Sequence, residues 1–583
     1  MNAVEARLRR LPAVARSAAG ESRLAWGGVA LLLAAAALFI YLEGRGISFR
    51  RDDWNMILTR RGHSLDDFLR PHNRHLLPLH VLVYKGLLET AGLKTYAPYQ
   101  AVAVALHALV AALLFAFARR RVGWPAALLV TALFAVPGAA VHDVLWPFQI
   151  GLLGSVAAGI GMLFALERRS REGDLTASGL LLVSIASSGI GLAVALAAFV
   201  ELAVGRDQLR RFVRVLAVPV GVYALWYLVY GGDVPADLAP ATEPPGIDQP
   251  LLANLTDAPR YVFNAAGATL AAITGLEPSF APALVLGALA LMGWRFLGGR
   301  PMSPRLWAVL ALPLIYWTLL ALARGQLNDP AQVRHLYPAV AFVLLAAVEW
   351  SRGIRLSGRG LAVLTAAAAV ILVGNVGRVR DEAGVLKLDA VDLLPRLTAL
   401  ELSRDSVTPD FRPVTDANGS APDIVAGRYF EAIDDFGSPA PTLEELLGLG
   451  ETRLALADQT LVRALAVRPL GEQPTGGPAP APLILAAPRG GSAEPERGCV
   501  VLRPRGRRAS VELRLSAPTL ALIVGKGGTV ELRARRLAGA YSARLPPLAG
   551  MERAVLRFPP DRSPRPWELE LTTDRRVRTC AFG

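Results

Sequence analysis

Cysteine is almost absent: only Cys499 and Cys580 occur in 583 residues. No thiolate cluster can therefore organise a metal or redox centre, and no HExxH pattern offers a histidine alternative. Both cysteines lie in the C-terminal region, and a pair confined to one domain reads as a disulfide formed in an oxidising compartment. Such a bond closes about 80 residues and contributes roughly 4.5 kcal/mol on the chain-entropy relation; the alternative is two unpaired buried thiols. Lysine is scarce beside arginine, and beyond about Val376 no apolar run of spanning length occurs. A small-residue cleavage site is also missing after the first apolar run, which follows Arg7, Arg9, Arg10, Arg16 and Arg23, so that run reads as a retained signal anchor.

Lipid-compatible sequence dominates the rest. Hydrophobic residues make up 53% and mean hydropathy is +0.39, above the roughly 45–50% apolar content of soluble domains. The formal charge of +14 falls mostly in short basic clusters between apolar spans, which argues for topology and against nucleic acid. Abundant Ala, Gly, Leu, Val and Arg suggest a GC-rich bacterial genome.

Apolar length and the excess of Arg in cytoplasmic loops place eleven spans: Leu24–Leu42, Tyr96–Ala118, Trp124–Pro137, Phe148–Leu166, Leu175–Ile190, Gly191–Val204, Phe212–Tyr230, Ala281–Phe296, Leu306–Ala323, Leu336–Trp350 and Leu361–Val376. Inward turns carry Arg119–Arg121, Arg168–Arg171, Arg206–Arg214, Arg295–Arg305 and Arg352–Arg359. The expected protein is thus multi-pass in the bacterial plasma membrane, with a cytoplasmic N-terminus and an extracytoplasmic C-terminal domain. His75–Gly92 carries Lys85, Glu89 and two histidines and reads as an interfacial helix, as does Leu255–Thr274.

The expected layout is a basic N-terminus (1–23), a polytopic α-helical domain (24–376) with a long first external loop (43–95), a partly helical region (377–473), a Pro/Gly-rich linker (474–495) and a small β-sandwich (496–583). Helical stretches at Thr442–Leu449 and Leu454–Val467 precede the linker. Period-two stretches at Val511–Leu515, Thr519–Val524, Thr529–Ala534, Ala554–Phe558 and Trp567–Thr572, separated by Gly- and Pro-rich turns, mark the sandwich. It either binds glycan or acts as a packing module.

Chemistry concentrates in the external loops. Asp52 and Asp53 lie about ten residues past the first span, where a carboxylate can meet a lipid-borne and a water-borne reactant; the alternative is a cap on the helix opening at Trp54. The same loop holds Arg45, Arg50, Arg51, Arg60, Arg61, Arg70 and Arg74, on the side where basic residues are unexpected. A lipid phosphate or diphosphate would explain them through the guanidinium fork, as would anionic headgroups alone. Arg324, Asp329, Arg334, His335 and Tyr337 share that side, as do His142, Asp143, Trp146 and Gln149. His72 and His75 have near-metal spacing without further ligands.

The DDW at Asp52–Trp54, the helix His75–Gly92 and the VRHLYP segment at Val333–Pro338, in this order among the spans, resemble the GT-C superfamily of membrane glycosyltransferases. The resemblance covers most of residues 24–376. It implies a polyprenyl-phosphate sugar as donor, a glycan, lipid or protein acceptor, and an acid of the first loop, Asp52 or Asp53, as base in an inverting transfer. Arg74, His75, His142, Asp143, Arg324, Arg334, His335 and Tyr337 would then bind donor phosphate or substrate. His142–Asp143 stands where members often carry a fuller acidic motif, so the resemblance makes no cofactor certain and leaves a divalent metal possible. The rival readings are a transporter or lipid flippase, against which no repeat and no mid-span charge is found, and a non-catalytic envelope scaffold with a glycan-binding domain.

Overall fold

The structure, a computed structural model, describes residues 18–72, 75–231, 251–298, 302–354 except 325–332, 356–416, 419–467, 469–470, 477–546, 548 and 552–583. The helices are α1 (Ala18–Glu43), α2 (Asp52–Thr59), α3 (Leu65–Leu69), α4 (Pro78–Ala91), α5 (Ala97–Val122), α6 (Trp124–Ala135), α7 (His142–Leu145), α8 (Ile150–Glu167), α9 (Arg171–Ser187) and α10 (Ile190–Val204). After these come α11 (Leu209–Tyr230), α12 (Leu251–Thr274), α13 (Ala281–Leu297), α14 (Pro304–Arg324), α15 (Leu336–Trp350), α16 (Gly358–Leu402), α17 (Ala426–Phe436), α18 (Leu443–Leu447) and α19 (Glu451–Ala464). The chain divides into two compact units: Met1–Ile47, Thr59–Ala91 and Thr95–Lys387 form the first, and Ser48–Leu58, Gly92–Lys94 and Leu388–Gly583 the second.

The first unit is helical. Among the described residues eight helices are long and apolar enough to cross a membrane, or nine if α6 and the segment Gly138–Leu145, bent by 53°, make one broken span. Pro137 ends α6 because it cannot extend a helix, and Gly138 takes φ +52. A Cβ at Gly138 would lie 2.3 Å from Asn375 Oδ1, so the bend needs glycine both for its backbone and for the space.

The expected spans Leu175–Ile190 and Gly191–Val204 become α9 and α10, of 17 and 15 residues, and neither passes as a membrane span. At about 1.5 Å per residue α10 reaches roughly 22 Å, short of a ~30 Å hydrocarbon core, so the count of eleven is reduced. The break falls at Ser187–Gly189, and a Cβ at Gly191 would approach the Ile185 backbone to 2.4 Å; only glycine permits so tight a reversal. Small residues also bring α8 and α9 together, where Ser155 Oγ and Ser184 Oγ lie 2.9 Å apart and Ser184 Oγ donates to the Ser155 carbonyl at 3.0 Å. The 14-residue α4 is not a candidate span. Helix α12 packs along α13, α14 and α15, with Asn254 Nδ2 donating to the Leu322 carbonyl at 2.9 Å.

The second unit carries two antiparallel sheets. The first has strand order β1(Pro469–Leu470)-β9(Arg553–Arg557)-β6(Thr519–Val524)-β11(Val577–Phe582)-β4(Cys499–Pro504)-β3(Gly491–Glu496), and the second β2(Leu483–Ile484)-β5(Ala509–Arg514)-β10(Glu568–Thr573)-β7(Val530–Arg535)-β8(Ala543–Arg544). In β5 and β7 buried positions alternate with more open ones, as a sheet with one covered face requires. Leu502, Leu522 and Leu556 from one sheet and Leu513, Leu532 and Leu569 from the other share a core with Leu454 and Leu461 of α19. Asp458 of α19 is fully buried and accepts backbone N–H bonds from Arg536, Leu537 and Ala538 at 2.9–3.0 Å. Two strands, β2 and β3, lie inside the stretch expected to be a linker, and β1 precedes it. Cys499 and Cys580 are direct cross-strand partners on β4 and β11, joined by a disulfide across 81 positions.

Candidate functional site

In the first unit the bend after α6 carries His142 and Asp143 on α7, which packs against the turn Val333–His335 that leads into α15. His142 Nδ1 lies 2.6 Å from Glu382 Oε1 on α16, with both side chains largely buried. Asp143 has no solvent exposure, and among the described residues neither of its carboxylate oxygens has a hydrogen-bond partner. Arg334 and Glu382 are the charges acting on it. A buried carboxylate is costly without paired charge, so the guanidinium beside Asp143 is what the cluster requires. Tyr337 is fully buried and shares a 3.0 Å hydrogen bond with His107 Nδ1, while His107 Nε2 lies 3.1 Å from the Ala135 carbonyl. Tyr337 therefore fastens α15 to α5 and the end of α6. Tyr316 Oη donates to the His335 carbonyl at 3.3 Å, holding the turn.

The first-loop segment of this unit is built from its own arginines. Arg60 is buried and donates to the carbonyls of Asp67 and Pro71, each at 3.0 Å. Burial, and then the charge of Arg70, lower its pKa to about 10 despite Asp67. Arg70 pairs with Asp67 at 3.2 Å, and Asp67 also closes the capping box of α3 with Ser64. Arg60 and Arg70 thus have partners within the loop itself. His72 and His75 exchange backbone hydrogen bonds at 3.1 and 2.9 Å. The His72 ring is buried against Phe148, whereas His75 is exposed. His80 packs on Phe148 and Tyr84; burial, with the charges of His72 and Arg60, lowers its pKa to about 3. Among the described residues no group of three or more His, Cys, Asp or Glu side chains is placed to hold a metal ion.

Asp52 and Asp53 belong to the second unit, in the first turn of α2. Trp54 anchors that helix: it is fully buried, its indole donates to the Phe49 carbonyl at 3.1 Å, and its ring lies 5.6 Å from that of Tyr429. Arg51 enters the helix at φ +41, held by an N–H bond to the Ser420 carbonyl at 2.7 Å. Arg50 pairs through Nε with Asp389. Asp53 is fully buried, and its Oδ2 accepts the Arg50 N–H at 3.0 Å. Asp52 keeps partial exposure.

The sequence-derived residues thus separate. His142, Asp143, Arg334 and the His335 backbone come together; Tyr337 supports them from within the bundle; His75 lies in the first-loop hairpin. Arg74 and the side chain of Arg324 lie outside the described residues. Glu382 was not foreseen. Its signal was the Asp381–Glu382 pair directly after the last apolar run, inside what turns out to be the 45-residue helix α16.

No family model and no curated protein matches the chain. Solved structures similar to it include ArnT from Cupriavidus metallidurans bound to undecaprenyl phosphate (14% identity, TM-score 0.43, 66% of this chain and 82% of that one). The same protein in the apo state gives 16% identity and a TM-score of 0.36 over 73% of this chain and 91% of that one. The oligosaccharyltransferase of Archaeoglobus fulgidus, in complex with zinc and sulfate, gives 16% identity and a TM-score of 0.36 over 69% of this chain and 61% of that one. At TM-scores below 0.5 these likenesses assign neither substrate nor residue role to this chain.

Proposed function

We propose that the chain is a multi-pass membrane glycosyltransferase that moves a sugar from a polyprenyl-phosphate-linked donor to an envelope glycan, lipid or protein acceptor on the extracytoplasmic face. The observation that carries the reading is the contrast within the acidic pair: Asp53 is buried and holds the Arg50 N–H, while Asp52, nine residues past the end of α1, opens a helix and is partly exposed. An acid there suits a base that takes the proton of an acceptor hydroxyl as its oxygen attacks the anomeric carbon and the lipid phosphate departs. Displacement from the face opposite the leaving phosphate inverts the anomeric centre. A placed base contributes about 10² to 10⁴ in rate. Phosphate is a good leaving group, so a guanidinium that stabilises its growing charge is enough without a strong general acid. Arg334, one of the charges acting on Asp143 in the first unit, is proposed for that role. This reading takes the N-terminus as cytoplasmic and the C-terminal domain as external, from the excess of Arg in the expected inward turns.

The test is reconstitution of the full chain in liposomes with a panel of radiolabelled polyprenyl-phosphate sugars and envelope extracts as acceptor. Transfer with at least one donor, slowed about 10²- to 10⁴-fold in Asp52→Asn and retained in Asp53→Asn protein that remains folded, is the expected result. Absence of transfer with every donor, together with movement of labelled lipid between leaflets, would replace the proposal with a flippase.

A further inference from the structure

A second polar cluster lies within the first unit, at the ends of α8 and α15 remote from His142 and Arg334. There the C-termini of α5, α8 and α15, the N-terminus of α14 and Glu201 of α10 surround a cavity of about 460 Å³ lined by Arg120, Arg121, Arg169, Arg305, Arg352 and Ser303, among others. This is within the size range of ligand pockets, about 300–1,000 Å³. Glu167 and Glu201 also line it, and Glu349 stands behind Arg121 and Arg352. Five arginines therefore face three glutamates, and each carboxylate already has a guanidinium. Glu167 pairs with Arg121 at 2.6 Å and Arg120 at 3.2 Å, and Glu201 with Arg305 at 2.8 Å. The excess charge is positive.

Arg305 shows that this network is not self-sufficient. Its side chain is 8% exposed and Nη2 donates to Glu201 at 2.9 Å. Among the described residues, however, Nη1 has no hydrogen-bond partner, Glu167 Oε1 standing 3.7 Å away. A buried guanidinium donor without an acceptor is costly, and it borders the cavity. The N-terminus of α14, capped by Ser303 Oγ accepting the Leu306 N–H at 3.1 Å, adds the positive end of a 21-residue helix. Exposed arginines complete the rim: the side chains of Arg120 and Arg352 are each 63% exposed.

We propose that this cavity binds a phosphate group, with Arg305 Nη1 as the buried donor and Arg120 and Arg352 as the exposed clamp. Four of the five helices around it are candidate membrane spans that end there, the level at which phospholipid headgroups lie, and basic pockets between spans suit anionic headgroups. A soluble phosphate would meet the same donors. The inference is independent of sugar transfer, since it concerns the opposite ends of α8 and α15 from the proposed donor-phosphate residues.

The experiment is native mass spectrometry of the purified full chain in detergent, titrated separately with phosphatidylglycerol, phosphatidylcholine and inorganic phosphate. Wild type should bind phosphatidylglycerol in preference to phosphatidylcholine. The double variant Arg120→Gln/Arg352→Gln, which alters exposed side chains and should keep its melting temperature, should bind about tenfold more weakly, as loss of charge-assisted bonds implies. Arg305→Gln should weaken binding in the same direction. Competition by inorganic phosphate without any lipid preference would identify the source as a soluble phosphate compound. Equal binding of both phosphate ligands by wild type, the double variant and Arg305→Gln would overturn the proposal.

Discussion

Replacing His80 should flatten the dependence of the first unit's stability on pH. His80 sits on α4 with its ring 4.8 Å from Phe148 and 5.1 Å from Tyr84, and it is 3% exposed. Burial, then the charges of His72 and Arg60, lower its pKa from 6.5 to about 3. In the unfolded chain the imidazole takes a proton as the pH falls below 6.5, whereas in the folded protein it stays neutral until about pH 3. The unfolded state binds more protons throughout that window, so stability is fully present above pH 6.5 and falls on acidification by about 1.4 kcal/mol per pH unit. Between pH 6.5 and 5.0 the loss attributable to His80 is about 2 kcal/mol. Equilibrium unfolding in mixed micelles, followed by tryptophan fluorescence, measures it in wild type, His80→Phe and His80→Gln. The quantity to compare is the slope with pH, because either replacement can also shift stability uniformly. Both variants should lose about 2 kcal/mol less than wild type over this interval. Equal slopes in all three proteins would refute the assignment of a neutral buried His80.

Cys499→Ala/Cys580→Ala should lower the stability of the second unit by roughly 4.5 kcal/mol, read as an earlier loss of its β-sheet circular dichroism in denaturant; an unchanged midpoint would rule out a disulfide contribution. Asp458→Ala leaves the N–H groups of Arg536, Leu537 and Ala538 without their buried acceptor and should cost about 3 kcal/mol or more. Hydrogen exchange at those three amides should rise with it, and unchanged protection would contradict the tie between α19 and the sheet. Gly138→Ala should destabilise the bend after α6 by about 1–3 kcal/mol, because φ +52 is strained for alanine and Asn375 stands in the way. Gly179→Ala, inside α9 where nothing lies within 4 Å, is the control and should instead stabilise by about 0.5–1 kcal/mol.

The general architecture was legible because its signals are local. Spanning runs such as Ala97–Val122 are read from composition, and Thr519–Val524 was placed to the residue because its run is bounded by a proline and a glycine. Strand β4, Cys-Val-Val-Leu-Arg-Pro, escaped notice because a strand inside the six-stranded sheet buries four successive residues and shows no alternation. Strand β3 carries Gly491 and Pro495, tolerable on its edge position, and so resembled a linker. The shortening of α9 and α10 depended on the reversal at Gly191, a close approach that no hydropathy window records. At the candidate site the acidic pair and the HD turn were visible as residue types. The His142–Glu382 contact joins positions 240 apart, a relation that only tertiary packing creates. The partners of Arg60 were hidden for the same reason, since the carbonyls that receive it are supplied by the folded loop.

Sugar transfer by Asp52 is tested most directly by a single-turnover measurement in proteoliposomes. Wild type and Asp52→Asn would be loaded with the same radiolabelled donor and mixed with acceptor. Asp52→Asn should bind the donor as wild type does and transfer the label about 10²- to 10⁴-fold more slowly; transfer at the wild-type rate would contradict its role as the base.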